Sequence, residues 1–355
     1  MASYSSFFAI LLLSFFFLSA SGAQPPSSSR PSGLVFSVTI DPSTLQYLTK
    51  ISLETVPINV VVDLGGESSW IYSSQGCAST SGDVTVQSNN LKNGDWVSGP
   101  NVTARGISLG CETTTGVLLG LAKGAEGIAG LGRSGLSLAS QLSAAFQLPQ
   151  KFALDLSSPS GGSMYFGNGP YPDQQLAYTP LITNSCFPSD YFVDVKSMEI
   201  DNGNVTYDEG MLSIDNENGV GGTKFSTLVP YTTMETSIYK AFTSIYINRA
   251  QAMNISAVAP AWPFHACFSA STIQSRPDGL VVPKILFRLS NNVNWMISPG
   301  NALKLVKKDV YCLAFVDGGS KPKTSIVIGG HQMQYNIIEF DVARSRLGFR
   351  PRVQI

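Results

Sequence analysis

From Leu34 the chain alternates apolar and polar side chains, LVFSVTID, the period-two signature of a strand with one buried face. The segment YLTKISLETVPINVVVDLGGESSW continues the alternation and condenses between Ile58 and Val62 into an apolar run that stops at Asp63-Leu64-Gly65-Gly66. A buried strand entering a tight turn is predicted there. Further on, Glu126 to Gly132 reads EGIAGLG, an apolar pair running into glycines. The residues after it, SGLSLASQLSAAFQLP, place apolar side chains at helical spacing behind a serine cap.

The second half repeats this plan. GGTKFSTLVPYT, Gly221 to Thr232, stands where the first half has VVDLGGESSW, and SIVIGG, Ser325 to Gly330, echoes EGIAGLG. Between them ETSIYKAFTSIYINRA predicts an amphipathic helix. A duplicated β-rich unit accounts for the pattern, and 355 residues exceed what one hydrophobic core usually organises. The expected class is all-β with a few short helices, in two lobes spanning 34–182 and 183–355. Their boundary falls in the turn-rich stretch TPLITNSCFPS, ahead of a fresh strand, YFVDVKSMEI.

Composition narrows the function classes. The 23 Lys+Arg against 24 Asp+Glu leave a formal net charge of −1 with no basic block to neutralise phosphates, so no nucleic-acid partner is expected. The apolar stretch from Phe7 to Leu18, followed by small residues to Ala23, reads as a signal peptide over 1–23 with cleavage before Gln24. Residues 24–33 then form a Pro/Ser-rich flexible arm. A secreted, extracellular protein follows, with no membrane contact after cleavage, and a monomer is expected. Five cysteines, Cys77, Cys111, Cys186, Cys267 and Cys312, allow two disulfides and one leftover thiol, expected to be buried. The sequence leaves the connectivity open. A Cys267–Cys312 bridge would close a loop of 45 residues and constrain the unfolded chain by about 4 kcal/mol. The sequons at Asn101, Asn204 and Asn254 are candidate glycosylation sites.

Together these motifs resemble the pepsin-like aspartic protease family from about Leu34 to Phe349. Each lobe of that family carries an Asp-Thr/Ser-Gly turn and a later apolar-apolar-Gly strand. Asp63-Leu64-Gly65 matches the first turn, with Trp70 seven positions on as in the family, and Gly127-Ile128-Ala129-Gly130 and Val327-Ile328-Gly329 match the two later strands. Stretches such as VVDLGGESSWIY, GGTKFSTLVPYTTMETSIYKAF and TSIVIGGHQMQYNIIEFDVARSRLGF are similar to the plant branch holding the xylanase inhibitors, the extracellular dermal glycoprotein and the basic 7S globulins. The resemblance implies a bilobal pepsin-like barrel fold that binds a protein partner, a microbial cell-wall glycoside hydrolase, instead of cutting peptides.

The residues agree with a silent active site. An aspartic protease needs two carboxylates sharing one proton and one water. Aligning the second turn on Pro230-Tyr231-Thr232 puts Ser226 where the second aspartate belongs, and a hydroxyl does not ionise at any useful pH. Asp63 and Ser226 are therefore degenerate positions. Asp63 is expected to act as a turn residue that accepts backbone N–H bonds, while Asp215 and Glu217 are read as solvated loop charges. Leu64 replaces the hydroxyl that braces the two turns. The stretch from Trp70 to Gly127 is short, with Tyr72 its only tyrosine, so a reduced flap is expected. Only His265 and His331 could serve as histidine ligands, sixty-six residues apart, so neither a metal nor any other cofactor is expected. By the resemblance, the inhibitory loop falls on Gln274 to Gly279 with Arg276 as the probe. An arginine fork suits the paired carboxylates of a glycosidase cleft. The second arginine of that inhibitor type has only Arg352 as a counterpart here. Two other functions remain open: a cell-wall or storage glycoprotein with other partners, and a residual aspartic endopeptidase.

Overall fold

The computed structural model describes residues 30–54, 56–77, 80–92, 95–156, 161–169, 171, 176–277 and 279–351. The expected signal peptide, most of the arm and Arg352 lie outside them. Alternation along β1 (Gly33–Ile40) and β2 (Tyr47–Leu53) buries Leu34, Phe36, Val38 and Ile51 and turns Ser37, Thr39 and Lys50 outward. In β3 (Val56–Asp63), Val60, Val61 and Val62 are all fully buried, because the end of that strand is packed on both faces.

Four strands then build the first turn region: β4 (Trp70–Tyr72), a long hairpin of β5 (Ser81–Lys92) with β6 (Asp95–Ser108), and β7 (Gly110–Glu112). β8 (Gly127–Gly130) threads between β3 and β4. It runs parallel to β3 with Asp63 opposite Gly130, and antiparallel to β4 with Trp70 opposite Ile128. Helix α1 (Leu138–Phe146) follows, and its cap Ser137 accepts from the Ser140 amide, as the sequence predicts.

A shared sheet joins the two halves. β9 (Lys151–Asp155) pairs with β10 (Gly162–Gly167), which pairs with β1, and on its other side β9 pairs with the late strand Asn336–Asp341. That strand pairs with Arg346–Pro351, which pairs with β11 (Ala177–Ile182). Phe152 stacks on Phe340 at 5.0 Å in the core beneath. The described residues from Pro31 to Pro351 accordingly pack as one compact unit.

The second half repeats the threaded turn. After β12 (Phe192–Val193), β13 (Val195–Ile200) and β14 (Gly203–Asn204), β15 (Thr223–Phe225) runs parallel to Ile326–Ile328, with Phe225 opposite Ile328. β16 (Thr232–Met234) lies antiparallel to the same strand, with Thr233 opposite Val327. The duplication read from the sequence is therefore a duplicated strand order. Helix α2 (Thr236–Ala252) follows β16, as expected. The threaded segments leave no room for a Cβ: one on Gly127 would collide with the backbone oxygen of Trp70, one on Gly130 with those of Ser68 and Gly66, and one on Gly329 with the backbone of Tyr231.

The expectation of a reduced flap needs restating. The first half carries a long hairpin, β5–β6, but it is bonded elsewhere. β5 joins β2 at Leu53, the end of β2 that pairs with Val56 and lies farthest along β3 from Asp63, and then runs along β1 as far as Gly33.

Candidate functional site

The two turns meet at the junction of the halves. Asp63 closes an Asx-type turn, its Oδ1 accepting from the Gly65 amide at 2.9 Å while its carbonyl accepts from Leu131 at 2.8 Å. Its carboxyl is half-buried, and burial pushes its pKa above the ordinary value. Asp190 adds to that push, while the Gly65 amide and Lys224 oppose it.

Ser226 occupies the matching place in the second turn. Its amide donates to the Ile328 carbonyl at 2.9 Å, and its hydroxyl accepts from the Leu228 amide at 3.2 Å. Neighbouring Thr227 is fully buried and bridges the two turns: its hydroxyl donates to the Val62 carbonyl at 2.6 Å and accepts from the Leu64 amide at 3.1 Å. Leu64, also fully buried, packs into the hydrophobic core and returns no hydroxyl. The brace that Leu64 cannot join, as the sequence implies, is thus made from one side, by Thr227.

Sequence reasoning missed a carboxylate. Asp190 lies beside Asp63: a Cβ placed on Gly65 would collide with Asp190 Oδ1 and stand 3.7 Å from Asp63 Oδ1. Asp190 Oδ2 is held by Lys224 Nζ at 2.7 Å, and both side chains are largely buried. The signal that could have found Lys224 is its spacing: two positions before Ser226 on a strand, it shares that residue's face. Asp190 comes from the loop before β12, where its amide donates to the Phe187 carbonyl at 3.2 Å. The arrangement is therefore one carboxylate in a turn, a second in an ion pair, and a hydroxyl at the matching place in the second turn. Two acids sharing a proton across the two turns is not what this geometry offers.

The remaining sequence candidates are scattered. Asp215 sits in its own exposed turn, accepting from the Glu217 amide at 2.8 Å and from Asn218 Nδ2 at 2.7 Å. Arg276 is exposed in an isolated two-stranded hairpin, Gln274–Arg276 with Gly279–Val281; Asp278 at its turn lies outside the described residues. His265 contacts the Tyr239 hydroxyl at 3.2 Å. His331 is buried, with Nε2 at 3.3 Å from the Leu303 carbonyl, and burial drives its pKa down to about 4. Among the described residues no group of three or more His, Cys, Asp or Glu is gathered as metal ligands would be. Disulfides join Cys77 to Cys111 and Cys267 to Cys312. The leftover thiol, Cys186, is exposed, which corrects the expectation of a buried one. Asn101, Asn204 and Asn254 are all exposed, and no helix among the described residues is long and apolar enough to cross a membrane.

Comparison with known proteins agrees with this geometry. Family models described as xylanase inhibitor N-terminal and xylanase inhibitor C-terminal match residues 72–168 and 190–351. A protein of Nicotiana benthamiana named probable aspartic proteinase GIP2 is 40% identical over 427 aligned positions, covering 98% of this chain and 95% of that protein. Those positions outnumber the 355 residues here, so the relative carries segments without a counterpart in this chain. Gamma conglutin 1 of Prunus dulcis is 38% identical over 71% of this chain and 58% of its own length. Among solved structures, that of edgp superposes with a TM-score of 0.85 at 37% identity, covering 93% of this chain and 96% of that one. Basic 7S globulin from soybean superposes at 0.73 and 25% identity, covering 91% and 97%. These likenesses bear out the bilobal pepsin-like fold and the plant branch named from the sequence.

Proposed function

The chain belongs to the xylanase-inhibitor family of pepsin-like plant proteins, and from that membership we propose that it is a secreted, non-catalytic member that inhibits microbial cell-wall glycoside hydrolases in plant defence. The observation that carries the reading is the hydroxyl of Ser226 at the place in the second turn that Asp63 holds in the first, on turns that Thr227 holds together. The scaffold of a protease is kept while the second proton-sharing acid is gone, which leaves surface recognition as the use of the fold. Arg276 supplies the contact. It is exposed on a short hairpin with no ion-pair partner among the described residues, so its guanidinium is available to a carboxylate pair in a hydrolase cleft.

The test is titration of the purified protein against a family 12 xyloglucanase and a family 11 xylanase. Inhibition of at least one at micromolar concentration is expected; none for either removes the reading.

One observation favours a second reading. Asp190 beside Asp63 gives the junction two carboxylates, and a relative bears the name probable aspartic proteinase. A residual endopeptidase would cleave peptides at pH near 3–5 with pepstatin sensitivity. The ion pair of Asp190 with Lys224 argues against it, and no cleavage is the expected outcome.

A further inference from the structure

We propose that an N-linked glycan on Asn101 folds back into a groove on the outer face of the first lobe's sheet and is held there. The groove has a volume of about 430 Å³, within the range of roughly 300–1,000 Å³ typical of small-ligand clefts. Asn101 is one of its lining residues, at the β6 end of the row of paired strands. Strand register explains the lining. Across adjacent strands Asn101 faces Gln87, which faces Val35, and in the next row Thr103 faces Thr85, which faces Ser52. Neighbours in a row sit one strand spacing of about 4.8 Å apart. Period-two alternation puts Val84, Val86 and Phe36 in the core, so Thr85, Gln87 and Ser37 point outward onto the face that carries Asn101. The result is a concave surface on which these hydroxyls and amides, with Thr39, Asn59 and the Lys50 ammonium, stand among the apolar Val35 and Leu48. These donors and acceptors match the hydroxyl and acetamide groups of N-acetylglucosamine.

Tethering makes weak recognition sufficient. A sugar bonded to Asn101 meets the groove at an effective concentration of millimolar order, so a few exposed hydrogen bonds are enough to populate the docked state. Attachment requires only the secretory pathway's lipid-linked oligosaccharide pyrophosphate as donor. Asn101 Nδ2 forms the bond to C1 of the first sugar, the C1–O bond to the pyrophosphate breaks, and the amide gives up one proton. The required hydroxyl residue, Thr103, is present two positions on, and Asn101 is exposed. This inference rests on the proposal that the chain is secreted.

The experiment expresses the full chain with its own leader in a plant host and maps occupancy at Asn101, Asn204 and Asn254 by glycopeptide mass spectrometry. The native protein is then digested with an N-glycanase. Expected are occupancy at Asn101 and release there at least about tenfold slower than at Asn204 or Asn254, because the docked fraction shields the bond. Two groove-filling variants, Ser37→Tyr and Ser52→Tyr, each confirmed folded by circular dichroism, are expected to bring the Asn101 rate up to that of the other sites. Equal rates in the unsubstituted protein overturn the inference, as does a slow rate that neither groove variant changes. Occupancy at Asn204 or Asn254 with none at Asn101 overturns it while leaving secretion standing. No glycan at any of the three overturns it together with the secretion reading.

Discussion

The Thr227 hydroxyl accepts the Leu64 amide at 3.1 Å and donates to the Val62 carbonyl at 2.6 Å, so one fully buried side chain ties the second turn to the first. In a duplicated fold this bridge would be made twice, once from each turn. Here Leu64 is apolar and packs into the core, so the whole cross-turn hydrogen bonding falls to Thr227. Replacing it with valine keeps the shape and leaves a buried donor and a buried acceptor without this partner. Thr227→Val is expected to cost about 2–6 kcal/mol, from roughly 1–3 kcal/mol for each of the two unsatisfied groups. Urea unfolding measures it, and a loss under about 0.5 kcal/mol would mean that the bridge carries little.

Asp63 gives a pH signature of its own. Burial raises its folded pKa above the ordinary 3.8, so the unfolded chain gives up its proton at a lower pH than the folded one. The stability tied to the protonated carboxyl is complete below that unfolded value and is lost as pH rises through the folded one. Asp63→Asn, which still offers an oxygen to the Gly65 amide, is therefore expected to raise Tm at neutral pH and to lose its advantage below pH 3.8. A pH-independent difference would refute the assignment.

His331 titrates in the opposite sense. Burial, assisted by Lys304, lowers its pKa from 6.5 to about 4, so the imidazole is neutral in the fold. Its contribution is complete above pH 6.5 and falls as the unfolded chain takes up the proton on acidification. An upper figure of about 3 kcal/mol follows between pH 6.5 and 4. His331→Gln is expected to flatten that part of the stability profile, whatever it costs at pH 8.

Arg276 is exposed, so Arg276→Ala should leave the unfolding midpoint within about 0.5 kcal/mol. If it is the probe, inhibition of the sensitive hydrolase falls about 30-fold or more, the loss of an interfacial anchor worth 2 kcal/mol or above. Unchanged inhibition would move the contact to another surface.

Beneath the junction, Glu339 is fully buried and accepts from Lys151 Nζ at 3.0 Å, the Tyr171 hydroxyl at 2.6 Å and the Tyr178 hydroxyl at 2.9 Å. Lys151→Met removes the cation and leaves the carboxylate in place, an expected loss of about 3–5 kcal/mol. Adding Glu339→Gln should recover part of it in chemical denaturation; two purely additive losses would rule out coupling.

Much of this was legible in the chain itself. The strand at Leu34, the serine-capped helix, the paired turns and the serine at position 226 of the second turn are each written in a few consecutive residues, where periodicity and turn chemistry act locally. Even the duplication is a comparison of two short patterns. The β5–β6 hairpin shows the limit, because its two strands are local while their pairing with β1 and β2 is not.

Sequence by itself determined the β class, the two turns and the hydroxyl of Ser226 in the second of them, since each follows from side-chain type at a position fixed by its neighbours. Only tertiary structure decided that Asp190 comes to Asp63, that Lys224 is its partner, that Thr227 spans both turns and that Cys186 is the unpaired thiol. Asp190 and Lys224 are 34 residues apart, and Thr227 and Leu64 are 163 apart. No local propensity encodes such meetings. They exist because the shared sheet and the threaded glycine strands bring distant backbone within hydrogen-bonding range, and the side chains then pair with what they find there.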